Sequence, residues 1–474
     1  MFCRMVRKEI LENLLGVRLV LSLVLILGLF TTSTVIFLDR HRGQMDDYRH
    51  RVNEDLSAFR ARSDQLYRLA FHKHQVYRKP KVLTLCAGGS EEVLPGHFTF
   101  DGFEMGLPQI AGQSNFTLPR LGELDWTFVI SMVLSFMALV FSYNCICGEK
   151  ERGTIRLILA GTAPRATVLL AKYVGLMLIL AIPLLLGLSV SLIVLIASGA
   201  ETVRLIPWLR IVGVVLTSFL YLSIFVLLGL CVSARTSRSS NSMAKLLLAW
   251  VVLLILIPSL GRVISDRFYR AATPEEFVRA RSEAERQVED RLSSGAYGPN
   301  AGATGADRDD PNINPVGRAR YTAAWTEARN RVVDAHHHRM LAQAEAGRNF
   351  TGLSPAVVFR RVCEIWAGTG LERSKNLHRQ IRAYQQALRD YILQEDRNDP
   401  DSLHLFFDDE PRLRDWMAIS HRPVNFAAVP KFQERDLPLG ASLKLAVWDI
   451  GLLALFNLVF FAAAFVSFLH YDVR

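Results

Sequence analysis

The sequence predicts an α-helical polytopic membrane protein with six transmembrane helices, an α+β outer lobe and a mainly helical outer domain. Two observations predict this fold class: apolar residues are clustered into long runs, and charge is distributed unevenly between the segments that separate them. The chain has 474 residues, 50% of them hydrophobic and 21% charged, and its mean hydropathy is +0.20. Such a value over this length argues against a soluble enzyme or a disordered scaffold.

Four runs contain no Asp, Glu, Lys or Arg and are 20, 22, 28 and 24 residues long. About 20 apolar residues, rising about 1.5 Å each, cross the hydrocarbon core of a bilayer. Two more segments qualify if Lys245 and Arg262 snorkel and if Asp449 lies at the interface or the outer mouth. The predicted spans are residues 19–38, 126–147, 168–198, 209–232, 243–264 and 443–470.

The charge distribution predicts which side of the membrane each segment faces. The formal surplus of 10 positive charges does not lie in the two long polar segments, because residues 39–125 carry 12 basic and 12 acidic side chains and residues 262–444 carry 28 and 26. It lies in the short segments beside the spans, which is the positive-inside pattern. Both termini are therefore predicted to be cytoplasmic and both long segments to lie outside a bacterial inner membrane. Nucleic-acid binding is excluded because no one folded segment carries the surplus.

Residues 1–18 are predicted to form a cytoplasmic amphipathic helix. Val6, Ile10, Leu14 and Val17 recur at spacings of four, four and three, which places them on one stripe that suits the inner leaflet. The alternative is a frayed extension of the first span. The apolar run that follows is too long for a typical signal peptide, so we expect an uncleaved anchor.

The first long segment, residues 39–125, predicts an extracytoplasmic α+β lobe. It opens with a charged helical stretch through Leu69 and then shows strand and turn chemistry, with β-forming runs at residues 81–86 and 97–100.

The second long segment, residues 265–442, predicts a mainly helical extracytoplasmic domain. Thr273 and Ser354 are each followed by Pro, a typical helix start. Large apolar residues from Leu377 to Tyr391 then recur at four, three, four and three, the stripe of a helix packed on a partner.

Cysteine and histidine positions allow two kinds of site in the outer segments. Cys86 and Cys363 are the two cysteines predicted to lie outside, and in an oxidising compartment they either form a disulfide or remain two buried free thiols. Histidines occur as His72-Lys-His74 and as three consecutive residues from His336. Consecutive helical side chains point about 100° apart, so three cannot face one ion. A solvated polar turn is favoured there, and no metal is predicted.

The sequence contains no phosphate-binding loop, no nucleophile elbow and no zincin His pair. Apart from Asp449, the apolar runs of the spans offer no Asp, Glu, Lys or Arg that could form a catalytic pair, so intramembrane catalysis is also excluded. The chain is therefore predicted not to be an enzyme, to have no catalytic residues and to need an external source of energy.

The cytoplasmic segment at residues 148–167 is the most informative motif. It reads Glu149-Lys-Glu151-Arg152-Gly153-Thr154 and continues to Pro164-Arg165, with Lys172 at the start of the third span. It resembles the permease subunits of ABC-2 type transporters, in which a Glu-Arg-x-x-Gly-Thr-like run forms a coupling helix and a Pro-x-Arg leads into the third span through a Lys. The large outer segments resemble the subgroup with extracytoplasmic insertions, whose relatives are linked to gliding motility and to copper-enzyme maturation.

The resemblance implies a transporter permease, of exporter type, driven by a separate ATPase. It implies two ATPase copies that bind ATP and Mg²⁺, a second permease that is identical or homologous, and no cofactor in this chain. The residues that would couple to the ATPase are the charged and small residues Glu149, Glu151, Arg152, Gly153 and Thr154 and the apolar residues Ile155, Ile158 and Leu159.

Two alternatives remain open at this point. In the first, the segment at residues 148–167 is only an interfacial helix, with its charged side in water and its apolar side on lipid. In the second, the whole chain is an ATP-independent anchor or receptor that presents its outer domains to a partner. Copurification of an ATPase distinguishes the transporter from the anchor.

Overall fold

The computed structural model describes residues 2–14, 16–88, 94–109, 124–154, 164–199, 205–268, 273–301, 314–406 and 418–469. In these ranges six helices are long and apolar enough to cross a membrane, which confirms the predicted fold class. Span 1 is Val17–Asp64, span 2 Trp126–Glu151, span 3 Arg165–Ala197, span 4 Pro207–Arg235, span 5 Ser239–Gly261 and span 6 Leu439–Leu469.

Three spans are not regular α-helices of the length expected from their apolar runs. The helix of span 1, Val17–Ala61, continues beyond the apolar run that ends at Leu38, so it projects about 35 Å further at about 1.5 Å per residue. Spans 2 and 5 each contain a π-helical turn, at Val129–Leu134 and Val252–Leu256. Such turns interrupt the regular hydrogen-bond ladder, and they often occur at functional sites.

The helices outside the spans are numbered α1 to α6. Strand β1 (His74–Tyr77) pairs antiparallel with β2 (His97–Phe100), with His74 opposite Phe100. The helices are α1 Phe2–Leu14, α2 Leu66–Ala70, α3 Pro274–Ser293, α4 Pro315–Phe350, α5 Pro355–Ala367 and α6 Gly370–Arg397.

The strand predicted at residues 81–86 is wrong. Val82–Leu85 is a short 3₁₀ helix, in which the backbone N–H of Thr84 donates to the carbonyl of Lys81 and the Thr84 hydroxyl donates to the same oxygen. Local side-chain bonds of this kind compete with strand pairing and here outweigh the β propensity of the run.

Both predicted helix starts are present, with different capping. Thr273 forms a capping box: its hydroxyl accepts from the N–H of Glu276, whose carboxylate accepts from the N–H of Thr273. Ser354 precedes Pro355 at the start of α5, but its hydroxyl donates to the carbonyl of Leu253 in span 5. Ser354 therefore attaches α5 to the membrane bundle.

The two long polar segments pack into one polar domain, consisting of the described residues between 39 and 109 and between 273 and 438. One apolar cluster joins Phe59 and Phe103 to Leu388, and another joins Phe98 to Leu377 and Ile381. The stripe predicted on residues 377–391 thus packs on the first segment. Each segment thus buries part of its apolar surface against the other.

Span 1 begins and span 6 ends at the same end of the bundle, which we name the terminal end. The polar domain lies at the opposite end, the domain end. There, α5 packs against spans 4 and 6, with the ring of Phe359 stacked on Tyr221 at 4.5 Å. Helix α5 therefore joins the apolar core of the bundle although it is not a span.

Candidate coupling site at the terminal end of the bundle

The site begins where the helix of span 2 breaks into a turn and restarts as the short helix Cys147–Glu151. The hydroxyl of Ser233 in span 4 accepts hydrogen bonds from the N–H groups of Ile146 and Cys147, both at 3.0 Å. Gly153 follows the short helix with φ of 70°, a conformation that favours glycine. Span 4 thus fixes the beginning of the segment, and Gly153 turns the chain at its end.

The three consecutive residues 149–151 each contact a different span. The Lys172 ammonium, in span 3, donates to Glu149 at 2.8 Å. Lys150 donates to the carbonyls of Ala234 and Thr236 at the end of span 4. Glu151 accepts from the N–H of Ser239, at the start of span 5, at 2.8 Å, and from its hydroxyl at 2.6 Å.

The hydrogen bonds of Lys150 and Glu151 suit the helix ends that these side chains contact. The carbonyl end of a helix carries partial negative charge and the N–H end partial positive charge. A cation at the end of span 4 and a carboxylate at the start of span 5 are therefore both favourable.

Lys172 also contacts Glu9 of α1, at 2.7 Å from the ammonium nitrogen to the carboxylate oxygen. One ammonium has three donors, so it can bond both carboxylates at once. The side chains of Lys172, Glu9 and Glu149 are 4%, 9% and 15% exposed. We name these three residues the buried triad. It joins α1, the start of span 3 and the short helix Cys147–Glu151 at the end of span 2.

The backbone of span 3 makes room for α1. A side chain at Gly175 would place its Cβ 2.9 Å from the Cβ of Glu9. The missing side chain lets α1 lie directly on span 3, which seats the Glu9 carboxylate beside Lys172.

Comparison with known proteins decides the family. The sequence profile of the ABC-2 family transporter proteins matches residues 5–473, nearly the whole chain. The chain belongs to the ABC-2 family. With its six apolar helices it is a multi-pass membrane protein of the permease type.

Two relatives agree with this assignment over part of the chain. The sequence is 31% identical over 149 residues to the probable ABC transporter permease protein NosY of Pseudomonas aeruginosa, a match to 31% of this chain and 53% of the relative. It is 33% identical over 93 residues to the protein of the same name in Stutzerimonas stutzeri, 19% of this chain and 34% of the relative. The chain thus spans about half and about a third of these relatives.

In this ABC-2 protein, the predicted coupling residues have different surroundings. Arg152, Gly153 and Thr154 are exposed. The carboxylates of Glu149 and Glu151 accept hydrogen bonds from Lys172 and Ser239 of the same chain. The other three predicted residues, Ile155, Ile158 and Leu159, lie outside the described residues.

The N-terminal helix ends before the predicted boundary. It runs from Phe2 to Leu14, so Val17 of the predicted stripe belongs to the helix of span 1. Within α1, Val6 is buried in the protein and Leu14 is 41% exposed. The buried acidic residue Glu9 was not recognised as a site residue. Its carboxylate gains an ammonium from span 3, and that contact is set by tertiary structure 163 residues away in sequence.

Cys86 and Cys363 are two free thiols in the structure. Both are buried in the core cluster that includes the spans. Burial raises the pKa of both thiols, and the proximity of Cys86 raises the pKa of Cys363 further. The thiolate is the form that attacks in disulfide formation, so this environment slows oxidation of the pair.

Asp449, predicted to lie at the membrane interface or the outer mouth, is buried within the protein against α5. Asp449 is 7% exposed and pairs with Arg361 of α5, at 2.5 Å between the carboxylate oxygen and the guanidinium nitrogen. Arg361 also donates to the carbonyl of Arg348 at 3.0 Å. Sequence reasoning missed Arg361 because it lies 88 residues from Asp449 in a helix outside the spans.

Proposed function

We propose that the chain is the permease subunit of an exporter-type ABC transporter, and that a separate ATPase drives it through residues 149–165. The contacts of residues 149–151 carry the proposal. A force applied to this short segment reaches span 3 through Glu149, span 4 through Lys150 and span 5 through Glu151. A segment that merely lay on lipid would have no need of three separate attachments.

The chain's own residues suggest how motion would pass inwards. Arg152 and Thr154 are exposed directly beside the attached residues, so a partner can contact them without breaking the buried triad. Displacement of the short helix would pull on Lys172 and, through Lys172, on Glu9 and α1. Span 3 and α1 would then move together as one unit.

The proposal includes the rest of the assembly. Two ATPase copies would bind ATP and Mg²⁺, and a second permease, identical or homologous, would complete the pathway, since six spans enclose little space alone. The terminal end would face the cytoplasm and the polar domain would lie outside the bacterial inner membrane, as the positive-inside pattern predicts. This chain would bind membrane lipid but no nucleic acid and no nucleotide.

The coupling experiment compares substitutions within the segment. We expect Ile158→Asp to reduce copurification and activity of the phosphate-loop ATPase more than Arg152→Glu does. A buried charge without a partner costs several kcal/mol, whereas an exposed ion pair is worth about 0–1 kcal/mol. Leu403→Asp is the matched control, because Leu403 is an exposed apolar residue of the polar domain. ATPase recovery and activity are measured with the tagged permease in detergent.

Full ATPase recovery and activity with Ile158→Asp would refute the coupling role. The segment would then be an interfacial helix, and the receptor or anchor function would account better for the large polar domain.

Orientation is tested separately by labelling single cysteines in intact cells with a membrane-impermeant maleimide. Gly302→Cys should be labelled and Thr154→Cys should not, in a background that lacks the exposed Cys3. Labelling of Thr154→Cys alone would invert the proposed topology.

A further inference from the structure

Three potential metal ligands meet in the polar domain, far from the buried triad in the fold. Asp55 lies on the helix that extends span 1, and His72 and His74 lie where the chain enters β1. One ligand atom from each residue falls within 4.8 Å of the others. Side chains two residues apart in extended backbone point to the same side, so His72 and His74 face Asp55 together.

The two histidine–aspartate separations are close to the ligand spacing of a tetrahedral site. The Nε2 atom of His72 is 3.5 Å from one oxygen of Asp55, and the Nδ1 atom of His74 is 3.5 Å from the other. Bonds of about 2.0–2.1 Å to Zn²⁺ place neighbouring tetrahedral ligands about 3.3–3.4 Å apart. The two histidine–aspartate contacts therefore need only a small contraction, and the three ligand atoms, which lie within 4.8 Å of one another, would draw together further around an ion.

The histidines are buried, and part of their hydrogen-bonding capacity is unused. His72 is 5% and His74 2% exposed, and the Nε2 atom of His72, which faces Asp55, makes no hydrogen bond with the described residues. Buried polar atoms without partners are uncommon, and a bound ion is one explanation for them.

The surroundings orient the three side chains. The N–H of Gln75 donates to the Asp55 carboxylate at 3.0 Å. The ring of Phe59 stacks on His72 and meets His74 edge to face at 4.1 Å. Such a second layer fixes the ligands of metal sites and limits the access of water.

From this arrangement we propose that Asp55, His72 and His74 form a binding site for a divalent transition-metal ion of the Zn²⁺ type. Two imidazoles and one carboxylate suit such an ion, and water or an incoming ligand would take the fourth position.

Arg62 should weaken metal binding, so its substitution tests the proposed ligand arrangement. Its guanidinium contacts the Nδ1 atom of His72, and because arginine can only donate, that nitrogen must accept. The proton of His72 then lies on Nε2, the atom that would bind the metal. Ion binding at Nε2 would shift this proton to Nδ1, which could then no longer accept from Arg62, so the exposed Arg62 side chain would turn into solvent.

The experiment measures Zn²⁺ binding by the full chain in detergent, by competition with a chromophoric chelator. Wild type should bind one Zn²⁺. The affinity should fall at least tenfold in His74→Gln and in Asp55→Asn, since the loss of even a second-layer partner lowers metal affinity about 10–100-fold. Arg62→Gln should bind several-fold more tightly. His50→Gln and His338→Gln, which alter exposed histidines, should bind as wild type does.

Two results would overturn the proposal. One is wild-type protein that does not bind Zn²⁺, and the other is Asp55→Asn that binds it as tightly as wild type does. Asp55→Asn decides the question if His74→Gln fails to fold, because the amide is of equal size and Asp55 is half-buried. Bound Co²⁺ gives a second readout, since a tetrahedral site has a visible absorption that Asp55→Asn should lose.

Discussion

Each end of the bundle holds a buried ion cluster that attaches a non-spanning helix to a span. At the terminal end, Lys172 of span 3 bonds Glu9 of α1 and Glu149. At the domain end, Arg361 of α5 bonds Asp449 of span 6. The side chains of both clusters are largely buried, but the clusters differ in their number of charged groups and in the exposure of the residues beside them.

This difference leads us to expect that the attachment at the terminal end can move and that the attachment of α5 at the domain end is fixed. The buried triad has two carboxylates for one ammonium, and residues 152–154 beside it are exposed. The Arg361–Asp449 pair is one to one, and α5 around it is buried along Val358, Phe359 and Val362. Motion is therefore expected at the terminal end, whereas α5 acts as a fixed cap.

The largest expected effect comes from Lys172→Met. It leaves two buried carboxylates adjacent without a cation, and breaking a buried pair costs about 3–5 kcal/mol. Denaturant unfolding in mixed micelles measures the loss. Lys8→Met is the matched control, because the Lys8–Glu12 pair is exposed, and it should change stability by less than about 0.5 kcal/mol. A Lys172→Met loss no larger than that of the control would show that the triad does not hold α1.

A smaller effect is expected from Asp449→Asn. In this variant the amide oxygen can still accept from the Arg361 guanidinium, which also keeps the carbonyl of Arg348 as an acceptor. We therefore expect a loss of about 1–3 kcal/mol, the cost of a partly unsatisfied buried group, rather than the full cost of a broken pair. Asp401→Asn, at an exposed ion pair with Arg422, is the control. If Asp449→Asn destabilised the protein more than Lys172→Met, the contrast between the two clusters would be reversed.

Acidification should weaken the polar domain through two stacked histidines. His337 is fully buried against His378, with ring centroids 3.9 Å apart. Burial, then His378 and His338, lowers the pKa of His337 from 6.5 to about 3, and Arg382 also lowers it while Asp334 opposes the shift. The unfolded chain therefore binds a proton first as pH falls, and stability present above pH 6.5 is lost towards pH 3.

A difference measurement isolates this contribution, because the buried Asp101, whose pKa is raised to about 6 by burial, acts in the opposite direction. The stability of wild type relative to His337→Leu should fall by about 1.4 kcal/mol between pH 7.5 and about 5.5. The measurement is denaturant unfolding of both proteins at each pH. A pH-independent difference would mean that His337 is not held neutral.

The sequence was sufficient for features that depend on local pattern. The six spans follow from apolar runs, the start of α3 from Thr273 and its capping box, and the packing face of α6 from a regular spacing. These signals lie within a few turns of one helix, where period and capping chemistry dominate.

The clusters of charge could not be derived in the same way. Glu9 and Lys172 are 163 residues apart, and Arg361 and Asp449 are 88 apart. Nothing in their neighbouring sequence shows that either pair is buried. Asp55 was missed for a similar reason: the spacing of His72 and His74 was visible, whereas their third partner lies on the preceding long helix.

The central claim is that residues 149–165 receive work from an ATPase, and photocrosslinking tests it most directly. A photoreactive residue replaces exposed Thr154 or, as the control, Leu403 of the polar domain, in permease that copurifies with a phosphate-loop ATPase. We predict that the residue at position 154 crosslinks to the ATPase and that the residue at position 403 does not. An ATPase that copurifies but crosslinks at position 403 and not at position 154 would contradict the account.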